Sequence, residues 1–230
     1  MKEHIYTIPV TEAFSEHKDK CPFCALFDKL ERDELEIILG ASMMEPDIRM
    51  KTNELGFCLT HYNMMLKRKR MLGMGLIMES HLAEVGKKLK GPTLSLNPRT
   101  AAIAELSRLE CDCYVCSRIN KNIGAMTATA AYLYESDPEF ERKLKKIPYL
   151  CLPHYRAILE YSSKKLNKKK FAELYDTLLE IEEKYLSTLS GDVSWFCKKF
   201  DYRYDEEPWY NSKDSVQRSV KFLSGEMQID

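Results

Sequence analysis

The sequence predicts an all-α fold, and three observations carry the prediction. Apolar residues recur at steps of three and four along most of the chain, runs of β-branched residues are scarce, and a Cys/His pattern occurs twice, each time leading into a helical stretch. The first copy is Cys21-Pro-Phe-Cys24, then 33 residues, then Cys58-Leu-Thr-His61. The second is Cys113-Tyr-Val-Cys116, then 34 residues, then Cys151-Leu-Pro-His154. The repetition extends past these residues. Pro46 lies 12 positions before Cys58 and Pro138 lies 13 before Cys151, each preceded by an acidic residue, and a tyrosine (Tyr62, Tyr155) follows each histidine. An internal duplication accounts for all of this.

Each copy reads as three helices. In the first, a helix from about Cys24 to Gly40 carries Phe23, Leu26, Leu30 and Ile37 near one face. A short helix begins at Pro46, since proline in a first turn loses no amide partner. A long helix starts near Cys58 and continues to Lys90. The segment from Lys90 to Pro98, with a glycine and two prolines, reads as a linker. A helix from about Arg99 to Glu110 then leads into the second copy, whose helices run from Cys116 to Glu135, Pro138 to Lys146 and Cys151 to Lys165. Beyond it, Phe171, Leu174, Leu178, Ile181 and Tyr185 mark an amphipathic helix that should stop near Ser190-Gly191. The stretch from Trp195 onward holds both tryptophans, and its aromatic content predicts packing, with a last helix from Ser212 to Leu223. The expected units are residues 1–90, 99–190 and a tail, 191–230.

Composition narrows the function classes. The 35 basic residues balance 35 acidic ones, so bulk charge asks for neither nucleic acid nor an anionic surface. The first ten residues lack the apolar core of a signal peptide, and the longest apolar stretches, such as Gly73 to Met78, are too short for a bilayer. A soluble cytoplasmic protein with no membrane partner is expected, and in that reducing compartment eight cysteines are not a disulfide framework.

Six of the eight cysteines fall in the repeated motifs, which points to metal. Three thiolates and one imidazole form a closed tetrahedral set suited to a structural zinc ion. The spacing suggests that each copy holds one: Cys21, Cys24, Cys58 and His61 on the first ion, Cys113, Cys116, Cys151 and His154 on the second. Lys20 and Arg118, near the motifs in sequence, offer positive charge that could offset the negative charge of such sites. An iron–sulfur cluster is the main rival cofactor. Cys111 and Cys197 read as structural cysteines, with Cys111 also a spare ligand or redox thiol. Cys21-Pro-Phe-Cys24 resembles a thiol–disulfide exchange loop, but the polar residues before it form no core strand.

The basic runs 67–70 and 164–170 read as solvated helix faces or as phosphate-gripping patches for nucleic acid. The methionines crowd between Met43 and Met78, with Met71, Met74 and Met78 at helical spacing, as in an adaptable core or a partner surface. His4, His17 and His81 read as surface or core histidines. No phosphate-binding loop, nucleophile elbow or zinc-protease motif is found. Three functions remain: a zinc-stapled binding or scaffold module with a protein or nucleic-acid partner, a redox or metal-responsive protein, and an enzyme with its site between the units.

At Cys21-Pro-Phe-Cys24, Pro46-Asp-Ile-Arg49 and Phe57-Cys-Leu-Thr-His61 the chain resembles an uncharacterised bacterial family, common in Gram-positive anaerobes, that carries these blocks. The segments Ile5 to Phe14 and Trp195 to Arg203 resemble it as well. The second motif departs from the family's form, with Tyr114 at the proline position, which is not a ligand. The resemblance covers most of the chain and implies no activity.

Overall fold

The computed structural model describes residues 5–16, 19–90 and 97–225. Eleven α-helices and two short 3-10 turns make up its secondary structure, with no strand among the described residues, so the all-α prediction holds. Residues 91–96 of the expected linker, and His4 and His17, lie outside the described residues.

Contacts divide the chain into two units, one nested within the other in sequence. The first comprises Met1–Asp28 and Ile123–Asp230, and the second Lys29–Asn122. This is not the sequential division at 90 and 99 that the repeat suggests. The boundaries fall inside α2 (Pro22–Leu39) and α7 (Tyr114–Ser136), two helices that run unbroken across them, α7 even past Gly124.

The first unit also contains α1 (Thr7–Glu16), α8 (Pro138–Leu144), α9 (Leu152–Lys165), α10 (Lys168–Lys198) and α11 (Ser215–Ser224). Phe14 of α1 packs edge-on against Phe23, at 5.4 Å between centroids, and against Phe140 of α8, at 5.0 Å. Leu144, Leu150, Ile158, Leu174 and Leu178 are buried in the same unit. Tyr149 stacks on Tyr185 at 4.0 Å, with Phe222 of α11 against both rings. α11 packs on α9 and α10.

Helix α10 does not stop at Gly191. A mid-helix glycine costs only about 1 kcal/mol relative to alanine. Leu189 before it is buried, and Trp195 and Phe196 beyond it pack on Tyr204, Tyr210 and Trp209, so aromatic contact carries the helix through to Lys198. The buried face also turns one residue from the expected one: Glu182, not Ile181, is buried between Leu178 and Leu189.

Past α10 the chain folds around Lys199, whose buried ammonium donates to the carbonyls of Tyr204, Asp205 and Glu207 at 2.5–2.7 Å and lies 5.4 Å from the Trp209 ring. Lys199→Met removes the only charge these carbonyls share and is expected to cost about 2–3 kcal/mol. Trp195 and Trp209 report on the loop, so tryptophan fluorescence should shift red and proteolysis within 200–210 should accelerate. An unchanged spectrum and cleavage pattern would show that the cage is dispensable.

Glu182 accepts a hydrogen bond from the Leu150 amide at 2.6 Å, while its second oxygen is buried without a partner among the described residues. Burial lifts its carboxyl from about 4.5 to about 7. The folded chain therefore holds this proton more tightly than the unfolded chain, and ionisation destabilises the fold. The penalty is absent below about pH 4.5, grows through pH 7 and is constant above. Glu182→Gln keeps the acceptor and removes the charge, so the variant is expected to gain on the order of 2 kcal/mol over wild type at pH 8. Paired thermal melts should show that advantage shrink toward pH 5; an advantage independent of pH would refute the account.

The second unit holds the rest of α2, a 3-10 turn (Ala41–Met44), α3 (Pro46–Leu55), α4 (Leu59–Lys67), α5 (Met71–Lys90), α6 (Pro98–Cys111) and the start of α7. α5 packs on both α3 and α6. Arg49 ties α3 to α5 by donating to the Leu76 carbonyl and, at 3.0 Å, to Ser80 Oγ, which gives the Pro46-Asp-Ile-Arg49 block a structural role. His81 is buried and bonds the Asn53 carbonyl through Nδ1 at 3.2 Å.

Two expectations change in this unit. The single long helix from Cys58 is two helices, broken at Lys69, whose φ is +56°. Arg68 and Arg70 on either side both turn to the Glu36 carboxylate, and this shared anion favours the turn over continuation. Of the methionines at helical spacing in α5, Met74 is buried and Met71 is exposed. The buried face of α2 runs through Leu35 and Ile38, leaving Ile37 exposed.

No helix among the described residues is long and apolar enough to cross a membrane.

Candidate metal centres

All four halves of the repeated pattern sit at helix N-termini. Cys21 and Cys113 precede α2 and α7, their carbonyls accepting the first helical hydrogen bonds from Ala25 and Ser117, while Cys24 and Cys116 lie in the first turns. Cys58 and Cys151 are the N-caps of α4 and α9, and His61 and His154 lie in the turns that follow. Pro22 and Pro153 suit these first turns, where an amide has no helical partner to lose. Each cysteine pair or Cys/His pair therefore places both side chains at the positive end of a helix, where the macrodipole favours thiolate over thiol.

The helix ends meet in the opposite combination from the expected one. In the first unit Cys21 and Cys24 of α2 join Cys151 and His154 of α9, and in the second unit Cys58 and His61 of α4 join Cys113 and Cys116 of α7. Each motif thus completes its ligand set with the half from the other copy. The physical reason is that packing, not sequence distance, decides which helix ends meet. In the second unit a backbone bond makes the match: the Tyr114 amide donates to the Gly56 carbonyl at 2.9 Å, which lays the chain leading to Cys58 beside Cys113. Gly56 ends α3 with φ +60° and lies so close to His81 that a Cβ would stand 3.1 Å from its ring, so glycine is required there. Phe57 packs against Tyr62 and Tyr114 over this junction.

In sequence, the Cys58/His61/Cys113/Cys116 set lies wholly between the halves of the other set. We call it the inner centre and Cys21/Cys24/Cys151/His154 the outer centre.

The donor atoms of each centre all lie within 4.8 Å of one another. In the outer centre His154 Nδ1 stands 3.0 Å from Cys151 Sγ, 3.6 Å from Cys24 Sγ and 3.7 Å from Cys21 Sγ, and the Cys24 and Cys151 sulfurs are 3.5 Å apart. In the inner centre His61 Nδ1 stands 3.1, 3.3 and 3.5 Å from the sulfurs of Cys58, Cys113 and Cys116, and Cys58 and Cys116 are 4.0 Å apart. A tetrahedral ion with bonds of ~2.3 Å to sulfur and ~2.0 Å to nitrogen sets its sulfurs ~3.8 Å apart and sulfur to nitrogen ~3.5 Å. The distances above scatter about those edges, the Cys151–His154 and Cys58–His61 approaches falling shorter, and each set of side chains could hold one metal ion.

The electrostatics of the bare donors point the same way. Burial, reinforced by the thiols of Cys151 and Cys24, holds the Cys21 thiol well above its ordinary value. Cys21 pulls the Cys151 thiol down, but Cys24 and burial outweigh it and leave Cys151 at about 12. In the inner centre burial pushes Cys113 up, yet the His61 imidazole beside it brings it down to about 6. Burial opposes the charge on His61, and Cys113 and Glu31 together overcome it to lift His61 to about 10. In the outer centre the thiols thus resist ionising together, whereas a divalent cation would deprotonate its thiol ligands outright.

The Glu31 carboxylate, buried in α2, contacts His61 Nε2 at 3.1 Å. Sequence reasoning missed it, although a signal was present. Cys24, Asp28, Glu31, Leu35 and Ile38 recur at helical steps on one buried stripe, so carboxylates occupy positions where the pattern asks for apolar residues. Lys20 and Arg118, expected to balance the sites, pair with Asp28 at 3.0 Å and Glu34 at 3.5 Å. Cys111 and Cys197 are exposed and join neither cluster.

The basic runs are partly engaged with acids. Arg68 and Arg70 grip Glu36, Lys164 pairs with Glu160, and Lys170 pairs with Glu173 and lies over the Tyr134 ring. A groove of about 800 Å³ in the first unit, lined by Leu152, Pro153, Leu159, Phe171, Tyr175 and Leu223 among others, is chiefly apolar.

No curated protein and no solved structure matches the chain. A family model does, over residues 1–230, and the chain therefore belongs to the family described as "Family of unknown function (DUF6062)".

Proposed function

We propose that the protein is a zinc-binding helical scaffold, in which two structural zinc ions pin pairs of helix N-termini and so fix the surface offered to a partner. One observation carries the reading: two separate sets of three cysteines and one histidine converge, the donor atoms of each lying within 4.8 Å of one another. Zinc suits that donor set best among common metals. Four protein ligands leave no open position for a substrate, which favours a structural over a catalytic ion. An iron–sulfur cluster places irons and sulfides between its ligands and so spreads them more widely than a single ion does. The close approach of the donors therefore favours one ion per site.

A protein partner fits this reading better than nucleic acid, because arginines of one basic run and lysines of the other are already paired with carboxylates.

Elemental analysis with an absorption spectrum, on protein purified without oxygen, tests the proposal. Two zinc ions per chain and no visible colour are expected. Iron with visible absorption would replace the structural reading with electron transfer or sensing, and a metal-free folded protein would end it.

A further inference from the structure

We propose that the two centres are unequal, the inner one holding its ion about 10–100 times more tightly than the outer, with Glu31 as the positioning residue responsible. This rests on the reading of both clusters as metal centres.

The difference lies in what holds the histidine. In the inner centre Nδ1 faces the three sulfurs while Nε2 faces the buried Glu31 carboxylate at 3.1 Å. An imidazole bound to an ion through Nδ1 carries its one proton on Nε2. The carboxylate accepts it at Nε2, so the Nδ1 lone pair is left for the ion. The same bond fixes the ring plane and raises the basicity of Nδ1. Side chains on two helices, α2 and α4, thus orient one ligand before the ion arrives.

Among the described residues the outer centre shows no such device. Among the described residues, His154 makes its polar contacts through Nδ1, to Cys21, Cys24 and Cys151, and its ring lies against Phe23 at 5.4 Å between centroids. The duplication shows the same asymmetry. Glu31 stands seven residues after Cys24 in α2, and the residue seven after Cys116 in α7 is Ile123, which cannot accept a proton. The outer histidine must therefore give up rotational and tautomeric freedom when the ion binds.

Burial acts on a different quantity. Cys21, Cys24 and Cys151 are buried, and Gly225 at the end of α11 lies over them: a Cβ there would stand 3.6 Å from Cys151 Sγ and 3.9 Å from Cys24 Sγ. Cys58 and Cys116 are half-buried. Cover of this kind slows exchange at the outer centre, while the support behind the histidine sets how tightly each ion is held. The outer ion is thus the weaker and the inner ion the more accessible.

Zinc titration of the native chain against a competing chelator tests the inference, with cadmium NMR to distinguish the two ions. Two steps separated by about 10–100-fold are expected in wild type. Glu31→Gln keeps the volume and an acceptor oxygen, so the fold survives. It should weaken the tighter step about tenfold and move the cadmium resonance that fills first, leaving the other in place. Glu31→Ala should bring the two steps together. Equal affinities in wild type, or a Gln variant with both steps unchanged, would overturn the inference while leaving two metal centres standing. A chain that binds no metal would overturn the reading beneath it instead.

Discussion

With zinc at both centres as proposed, stripping the ions with a strong chelator is expected to unfold the protein, or to lower its melting temperature by tens of degrees. Structural zinc in a Cys/His site contributes about 10 kcal/mol or more to folding, because the site exists only in the folded chain. A domain's whole stability is about 5–15 kcal/mol, so the metal contribution is of the same size as the margin it protects. Removing the ion also leaves three thiols and an imidazole crowded within 4.8 Å at two helix N-termini. Circular dichroism with and without chelator, and with metal loss verified by elemental analysis, reads the effect directly. A metal-free chain that keeps its helicity and melting temperature would refute the clamp.

The pairing of the motif halves makes a sharper prediction with paired cysteine variants. Cys24 and Cys151 share the outer centre, whereas Cys24 and Cys58 belong to different centres. The double variant Cys24→Ser/Cys151→Ser should lose one ion and keep the inner centre intact. Cys24→Ser/Cys58→Ser should weaken both ions and destabilise the chain much further, because the two losses fall on independent sites and add. If each motif copy held its own ion, the second variant would lose one ion and the first would damage two. Metal stoichiometry after gel filtration separates the cases, and a result in that reversed order would refute the cross-pairing.

Much of the fold was legible in the sequence because local rules governed it. Pro46 and Pro138 mark helix starts within a residue, and the eight ligand candidates are the eight residues that converge. Their pairing was not legible. Gaps of 33 and 34 residues within the copies suggest self-contained sites, yet nothing in a spacing says which helix ends will meet once the core packs. The break at Lys69 was hidden because no glycine or proline marks it; there two arginines, Arg68 and Arg70, reach the carboxylate of Glu36, 32 residues from Arg68 in sequence. At Gly191 the local signal pointed the wrong way, since aromatic contacts of Trp195 and Phe196 outweigh a glycine's modest cost. Glu31 was readable only as an anomaly, a carboxylate on a buried stripe, and its role needed the histidine brought to it from another helix.

The nesting of one ligand set inside the other has a consequence for the newly made chain. Cys24 and Cys151 are 127 residues apart, and His61 and Cys116 are 55 apart. A chain emerging N-terminus first at about 5–20 residues per second finishes the inner set well before Cys151 exists. From its own synthesis Cys24 waits about 6–25 s for Cys151 at those rates. Over that interval Cys21 and Cys24 are an open dithiol pair on a growing chain, exposed to oxidants and to competing metals. The step of biogenesis most sensitive to oxidation is therefore expected at the earliest cysteines of the chain, whose ligand set is the last to be completed.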